Sequence, residues 1–243
     1  MIAGALEWWR DAGVEHSFAD DPVHWLEADE SLPDQPQKPA GDLNAAPPEA
    51  SNKNPEPAPI AVFDAASLPA DHTAFTNWWL TEAALADGPA SIRVAPRGKP
   101  GADLMVIVPE PEAQDSEVLL SGPQGRLLNA MLSAFEIAPD KAYIASALPR
   151  HMPAADWEGL AARGLGTVMA HHIALVRPAR LIVFGTGILP LIGHGPPQGP
   201  AELRNLDHGD TKVPMLACRS LAALIEQPRW KARIWQAWLD WTK

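Results

Sequence analysis

Residues 102–153 read ADLMVIVPEPEAQDSEVLLSGPQGRLLNAMLSAFEIAPDKAYIASALPRHMP, and this stretch decides the fold class. The run ADLMVIVP is short, apolar and bounded by Gly101 and Pro109, which predicts a buried strand. The next segment, GPQGRLLNAMLSAFEIAPD, has apolar residues at helical spacing, and KAYIASALP is a second apolar run. A strand, a helix and a second strand in this order predict two parallel strands joined by a helical crossover.

The same alternation continues on both sides of this stretch. DHTAFTNWWLTEAALADG predicts a helix that begins at Asp71 or Thr73 and stops at Gly88, and LGTVMAHHIALVRP predicts one that ends near Pro178. ARLIVFGTG and VPMLA are further strands, and PRWKARIWQAWLDW is a closing helix. The pattern predicts an α/β fold with a parallel sheet covered on both faces. Ligands of such folds bind at the carboxyl ends of the strands, here in loops 109–125, 148–157, 185–187 and 217–228.

The chain divides into three regions. Residues 1–26 predict a short, Trp-rich helical peptide, whose Trp8, Trp9 and Trp25 either dock on the folded body or anchor a protein partner. Residues 27–59 form a Pro-rich acidic linker that lacks the apolar surface needed to offset ordering entropy. Residues 60–243 are the expected folded domain. "NLDHGDTKV" within it predicts a hairpin that contains His208.

Charge and composition limit the function classes. The net charge is −11 over 243 residues. Residues 1–60 carry −9 of it and residues 61–243 carry −2. DNA binding would therefore need a local basic surface. The sequence has no run of eighteen apolar residues that would predict a membrane span. Its N-terminus lacks the pattern of a signal peptide. A cytoplasmic location is the resulting expectation.

The order of motifs resembles the uracil-DNA glycosylase superfamily, most closely its iron–sulfur type. The resemblance runs over about residues 71–243. It lies in the first strand and its loop, the Gly-x-x-Gly helix start, the Tyr-Ile strand with its basic Pro loop, the Val-Arg-Pro helix end and the third strand ending in glycine. It implies a three-layer α/β/α sandwich with a four-stranded, mainly parallel sheet. It also implies an ancestral hydrolysis of the bond between uracil and deoxyribose.

The resemblance assigns pocket positions one at a time. The acidic residue that positions water corresponds to Glu110, in a loop that also holds Asp115. The aromatic residue that stacks on uracil corresponds to Leu120, and the asparagine that reads its edge corresponds to Ser146. The histidine that stabilises the departing uracil anion corresponds to Ser220. Leucine, serine and serine are poor substitutes for these roles.

Other residues have further potential roles. If DNA is bound, Gly122, Gly125, Arg126, Arg150 and Arg219 are the candidates for phosphate contact. Cys218 is the only cysteine, so it cannot ligate a four-cysteine cluster, and we expect no iron–sulfur cofactor and no metal.

The remaining candidates for chemistry are a cysteine and a histidine pair. Cys218 has no His or Asp beside it in the sequence and is expected to be a buried structural thiol rather than a nucleophile. His171 and His172 are adjacent on a helix and therefore do not face one ligand.

Three functions stay open at this point. The favoured one is a catalytically degenerate glycosylase-like protein with a binding or scaffolding role linked to DNA repair, with weak, non-specific DNA contact or a protein partner. The alternative is an active glycosylase with an altered pocket that uses Glu110, Asp115, His151 or His208 on uracil or another damaged base. The third is an unrelated nucleotide-binding module that uses the glycines of GPQG or FGTG at helix starts.

Overall fold

A computed structural model describes residues 63–85, 92–208 and 211–243. All of them belong to the compact unit Pro55–Lys243. The predictions for residues 1–26 and 27–59, including Trp8, Trp9 and Trp25, lie outside the described residues.

The described residues form a sheet whose strand order is β2-β1-β3-β5-β4. Its strands are β1 (Leu104–Val108), β2 (Ala142–Ser146), β3 (Arg180–Phe184), β4 (Ala201–His208) and β5 (Thr211–Cys218). The first three and β5 run parallel, in registers such as Val106 opposite Ile144 and Ile182. These are the four strands that the sequence predicted.

The fifth strand, β4, corrects the predicted count of four. It pairs antiparallel with β5 from Ala201 opposite Cys218 to His208 opposite Thr211. The predicted hairpin therefore consists of two long strands, β4 and β5, and β4 adds a fifth strand to the sheet. An edge strand needs only partial burial: Leu206 is 6% exposed, whereas Leu203 is 41% exposed. The segment AELRNLDH is too polar to be recognised as a strand by hydrophobicity alone.

Six α-helices occur in the described residues. They are α1 (His72–Thr81), α2 (Pro123–Ala134), α3 (Trp157–Ala162), α4 (Leu165–Val176), α5 (Leu221–Glu226) and α6 (Trp230–Thr242). Shorter 3₁₀ turns span Ala65–Ser67, Ala83–Leu85, Pro139–Lys141 and Thr186–Ile192. None of the described helices is long and apolar enough to cross a membrane.

Helices cover both faces of the sheet. Side chains alternate along each strand, so Met105 and Ile107 pack with α1, α3 and α4, while Leu104, Val106 and Val108 pack with α2, α5 and α6. Both β1 and β2 are therefore buried along their whole length. The α/β prediction is confirmed, with a mostly parallel sheet between two helical layers.

Helix boundaries follow the capping signals in part. The Asp71 side chain accepts a hydrogen bond from the Ala74 amide at 2.9 Å, which confirms Asp71 as the N-cap of α1. The prediction that this helix continues to Gly88 was wrong, because α1 ends at Thr81 and a separate 3₁₀ turn follows. Helix α4 ends at Val176, just before Pro178, as predicted.

Candidate functional site

The loops that follow the four parallel strands enclose a cleft of about 390 Å³. The loops after β1, β2, β3 and β5 all contribute, because the carboxyl ends of parallel strands meet at one edge of the sheet. Its lining residues are Pro109, Glu110, Pro111, Gln124, His151, Met152, Ala154, Ala155, Trp157, Gly185, Thr186, Gly187, Arg219, Ser220, Ala222 and Ala223. The cleft lies where the sequence placed the ligand-binding loops.

A glycine at the end of β3 lets two of these loops meet. Gly185 has φ of +104°, a conformation that side chains disfavour. A Cβ atom built there would lie 2.6 Å from Cγ of Pro109. The β1 loop therefore packs against the end of β3 at a distance that a larger residue at position 185 would not allow.

Glu110 and His151 are the acid and base candidates that the fold brings together. His151 Nδ1 lies 3.4 Å from Glu110 Oε2, and the two side chains are 39% and 26% exposed. The Met152 amide donates a hydrogen bond to the same carboxylate. The pair therefore faces the cleft on a fixed backbone, although its residues are 41 positions apart in the chain.

The hydrogen bonds of His151 define its tautomer. Nδ1 lies 3.0 Å from the carbonyl oxygen of Pro111, which only accepts, so Nδ1 carries the proton and donates it. In the neutral ring Nε2 is then left as an acceptor. A carboxylate beside an imidazole of this tautomer is an arrangement suited to holding or activating a water molecule.

Ser220, the position matched to the family histidine, lines the cleft but serves the helix behind it. Its Oγ accepts a hydrogen bond from the Ala223 amide at 3.2 Å and caps α5. Beside it, the Arg219 guanidinium lies 5.3 Å from the ring centroid of Trp230, in a cation–π contact. Arg219 is the only arginine or lysine among the described residues that line the cleft.

The other two pocket positions lie outside the cleft lining. Ser146 is 4% exposed, and its Oγ donates a hydrogen bond to the Leu148 carbonyl at 2.6 Å. Leu120 is buried in the core cluster on the α2 side of the sheet, with φ of +58°. Both side chains are used within the protein, and neither is placed to contact a base in the cleft.

The N-terminus of α2, where phosphate contact was predicted, already holds a carboxylate. The Glu112 side chain is buried and accepts hydrogen bonds from the amides of Gly122 at 2.9 Å, Gln124 at 2.9 Å and Gly125 at 3.3 Å. An anion at this position also complements the helix dipole. A phosphate would have to displace Glu112 to reach Gly122 or Gly125, and the same holds for a nucleotide at GPQG.

Asp115 organises the loop between β1 and α2. Its carboxylate accepts four hydrogen bonds, from the amides of Glu112, Leu120 and Ser121 and from the Ser121 hydroxyl, at 2.7–2.8 Å. A carboxylate with this many internal donors is occupied in holding the loop together. Asp115 therefore contributes to the shape of the loop and does not line the cleft.

The predicted basic contacts are spread over several elements. Arg126 is exposed on α2, and Arg150 lies in the β2 loop, where its Nη1 donates to the His151 carbonyl at 3.3 Å. Of the three arginines, only Arg219 lines the cleft.

Cys218, His171 and His172 are held by contacts within the protein. Cys218 is fully buried at the end of β5, and burial raises the pKa of its thiol, so the structural interpretation is confirmed. His171 Nε2 lies 2.7 Å from the Pro69 carbonyl, whereas His172 Nε2 lies 2.8 Å from the Tyr143 hydroxyl. His208 is the last residue of β4.

Several contributors were missed from the sequence. Trp157 and Thr186 line the cleft, and Glu112 caps α2. Trp157 is the last residue of the predicted ligand loop 148–157 and Thr186 lies within the predicted loop 185–187, so their places in these loops were the available signal. Glu112 lies ten residues before Gly122, outside the local spacing of any capping motif.

A scan against protein-family models and a search of curated proteins found no match for the chain.

Proposed function

We propose that the chain is a divergent protein of the uracil-DNA glycosylase type that has lost base excision and acts in binding or scaffolding linked to DNA repair. The proposal is supported by one observation: the residues at the three base-holding positions make contacts within the protein instead. Ser146 bonds to Leu148, Leu120 is part of the core and Ser220 caps α5. Base excision of this type uses a histidine, an asparagine and an aromatic ring. None of these three side chains is available to take those roles.

The expected consequence is the absence of uracil excision. Losing one oxyanion donor typically lowers the rate by about 10²–10³-fold, and here the leaving-group donor and the base reader are both replaced. The test is an assay with uracil-containing oligonucleotides, single- and double-stranded, followed by alkali to cut abasic sites. Cleavage well above the rate of a mock preparation would contradict the proposal.

One observation favours a second candidate, an altered-pocket glycosylase. Glu110 and His151 are 3.4 Å apart in an open cleft and retain a carboxylate and an imidazole acceptor. If excision of uracil or another damaged base is measured, it should fall at least about tenfold in both Glu110→Gln and His151→Gln. The matched control is Glu158→Gln, an acidic residue of α3 outside the cleft lining.

The proposed DNA contact is weak and independent of sequence. Arg126, Arg150 and Arg219 supply the positive charge, whereas residues 1–60 carry −9 and oppose binding. We expect deletion of residues 1–60 to strengthen binding, and each lost arginine contact to reduce the slope of log affinity against log salt by about 0.9. Equal affinity with and without residues 1–60 would contradict the electrostatic part of this proposal.

The protein partner is proposed from the sequence of residues 1–26 alone. Trp8, Trp9 and Trp25 are the aromatic anchors, since tryptophan is enriched among residues that dominate binding energy. Amide hydrogen exchange of the full chain separates the two uses of this segment. Rapid exchange over residues 1–26 supports a peptide that is free for a partner, and slow exchange supports docking on the folded body.

A further inference from the structure

The two edges of the sheet differ in how they are covered. At the β2 edge, the Arg97 amide donates to the Ile144 carbonyl at 2.9 Å, and the Ile144 amide donates to the Arg97 carbonyl at 2.7 Å. At the other edge, β4 has no neighbouring strand on its outer side among the described residues. An edge strand with free backbone groups is a template for pairing with another chain.

The pairing of β4 with β5 identifies which backbone groups of β4 point outward. The Arg219 amide donates to the Pro200 carbonyl at 3.0 Å, so these residues form a hydrogen-bonded pair at the end of the antiparallel ladder. Hydrogen-bonded and non-hydrogen-bonded pairs alternate along such a ladder. Every second residue of β4 therefore points its N–H and C=O groups away from β5. These residues are Ala201, Leu203, Asn205 and Asp207. Their backbone groups have no hydrogen-bond partner in residues 63–85, 92–208 and 211–243.

The side chains of β4 place an exposed leucine between two opposite charges. Leu203 is 41% exposed and lies between Glu202 and Arg204 in the strand. Arg204 Nη2 lies 3.0 Å from Glu202 Oε2, and the Arg204 guanidinium also donates to the carbonyls of Gly195 and Pro196. The two charges are therefore held on one face of the strand, and Leu203 lies on the other face.

A second copy of β4 is complementary to the first in one antiparallel register. When Leu203 faces Leu203 of the second copy, Glu202 of each copy faces Arg204 of the other. The outward backbone groups coincide in this register, since Leu203 pairs with its own copy and Ala201 pairs with Asn205. Each of these pairs can exchange two backbone hydrogen bonds. Opposite charges and apolar side chains that face each other across two strands stabilise the pairing.

The neighbouring registers bring like charges together. Because outward groups occur at every second residue, the second copy can shift only by two residues in either direction. One shift places Arg204 opposite Arg204, and the other places Glu202 opposite Glu202. Like charges directly opposite each other destabilise a strand pair. Charges on an edge strand usually prevent pairing, whereas these two select the register centred on Leu203.

We propose that the β4 edge is the interface of a homodimer, in which two copies pair antiparallel over residues 201–205 with the Leu203 pair on the two-fold axis. The partner is a second copy of this chain, because the charge pattern of the strand is complementary to itself. The same edge is used in both copies, so association stops at the dimer. The two clefts then face opposite ends of the joined sheet, because the two β5 strands run in opposite directions. The dimer does not depend on the function proposed for the cleft.

The first test is the mass of the full chain by sedimentation equilibrium, over protein concentrations from about 1 to about 300 µM. The monomer mass is 26.1 kDa, and we expect the weight-average mass to rise toward twice this value. Half of the chains should be dimeric at a concentration below about 100 µM, because one short strand per copy forms a small interface.

Proline substitutions separate the pairing of the edge from the folding of the sheet. Leu203→Pro removes an outward N–H and the leucine pair, and it removes no hydrogen bond to β5. It should weaken association at least about tenfold, because the change occurs twice in a two-fold interface. The matched control is Asp207→Pro, the same kind of change at an outward position beyond residues 201–205. This control should dimerise like the unsubstituted protein.

Two charge reversals test the register in a way that loss of folding cannot imitate. Glu202→Arg alone brings arginines together across the interface, and Arg204→Glu alone brings glutamates together. Each variant should therefore dimerise at least about tenfold more weakly than the unsubstituted protein. An equimolar mixture of the two should associate again, because the arginines of one variant then face the glutamates of the other. Sedimentation with a fluorescent label on one variant measures this mixed dimer.

The proposal is overturned if the full chain keeps the monomer mass up to about 300 µM, or if the mass grows beyond that of a dimer. It is also overturned if Leu203→Pro dimerises as tightly as Asp207→Pro. A mixture of the two charge variants that associates no more tightly than either variant alone would exclude the register centred on Leu203. Circular dichroism of each variant ensures that only folded proteins are compared.

Discussion

The Oε2 atom of Glu112 lies 2.9 Å from the amide nitrogen of Gly122, so helix α2 begins on a carboxylate of its own chain. The same side chain reaches the amides of Gln124 and Gly125. The two glycine amides that the sequence suggests for phosphate contact, and the Gln124 amide between them, are thus engaged inside the protein. The arrangement turns a potential ligand site into a structural contact between the β1 loop and α2.

Replacing Glu112 tests that contact directly. Glu112→Gln removes the charge from a buried carboxylate that accepts three hydrogen bonds, so the free energy of unfolding should fall by about 1–3 kcal/mol. Urea denaturation measures the change. The control is Glu117→Gln, an exposed acidic residue of the same loop, which should change stability by less than about 0.5 kcal/mol. Equal effects of the two substitutions would contradict the role given to Glu112.

Ser146→Asn asks whether an asparagine at this position restores a base reader. Ser146 is buried and bonded to the Leu148 carbonyl, so the larger side chain overpacks its site. We expect a loss of about 1–3 kcal/mol of stability and no gain of uracil excision. Ser116→Asn, in the exposed part of the β1 loop, is the control for the same chemical change. A stable variant with new excision activity would place Ser146 in the cleft after all.

A buried histidine, His172, makes stability depend on pH. The Tyr143 hydroxyl lies 2.8 Å from Nε2 of both His72 and His172. Burial chiefly, and the charges of His72 and His171 in addition, lower the pKa of His172 from 6.5 to about 3. Burial also lowers the pKa of His72, although Asp71 opposes this shift.

The direction of the pH effect on stability depends on whether the folded or the unfolded state takes up the proton. Between pH 6.5 and about 3 the unfolded chain protonates His172 and the folded protein does not. The free energy of unfolding should therefore fall as the pH decreases in this window, by up to about 1.4 kcal/mol per pH unit from His172. Above pH 6.5 the group contributes no pH dependence.

Urea denaturation at about pH 7.5 and about pH 5 checks this prediction. His172→Gln should be less stable than the unsubstituted protein at the higher pH and should lose less stability on acidification. His171→Gln keeps the buried imidazole of His172 and serves as the control, with a steeper acid loss than His172→Gln. Identical pH slopes in the two variants would show that His172 is not the titrating group.

Cys218 should be chemically silent in the folded protein. It is fully buried and its thiol pKa is raised, so the thiolate that reacts with disulfide reagents is scarce and inaccessible. A thiol reagent such as 5,5′-dithiobis(2-nitrobenzoate) should label it at the rate of unfolding, and within seconds in strong denaturant. Rapid labelling under native conditions would restore the nucleophile hypothesis.

The parallel strands were predictable because a strand that is buried on both faces has a continuous apolar sequence. Runs such as LMVIV in β1 must be apolar throughout, and the helices between them show apolar residues at helical spacing. Strand β4 has no continuous apolar run, since only one of its faces is partly buried. The early end of α1 at Thr81 was also invisible, because Gly88 is a stronger stop signal than the threonine.

The position of the cleft was predictable, but the use of its residues was not. Sequence order places the loops after β1, β2, β3 and β5 at one edge, since parallel strands share a direction. It does not show which side chains turn outward. Glu110 and His151 enter the cleft, whereas Asp115, Leu120 and Ser146 turn into the protein.

The amino-acid sequence by itself determined the parallel α/β sheet, the loops that meet at its carboxyl edge and the absence of enough cysteines for a cluster. Local patterns of burial and residue identity are sufficient for these conclusions. Only the tertiary structure decided that Glu112 occupies the start of α2 and that Glu110 and His151 meet in the cleft. These features depend on contacts between segments that are distant in the chain. Such contacts form only where the fold brings the two groups within hydrogen-bonding distance.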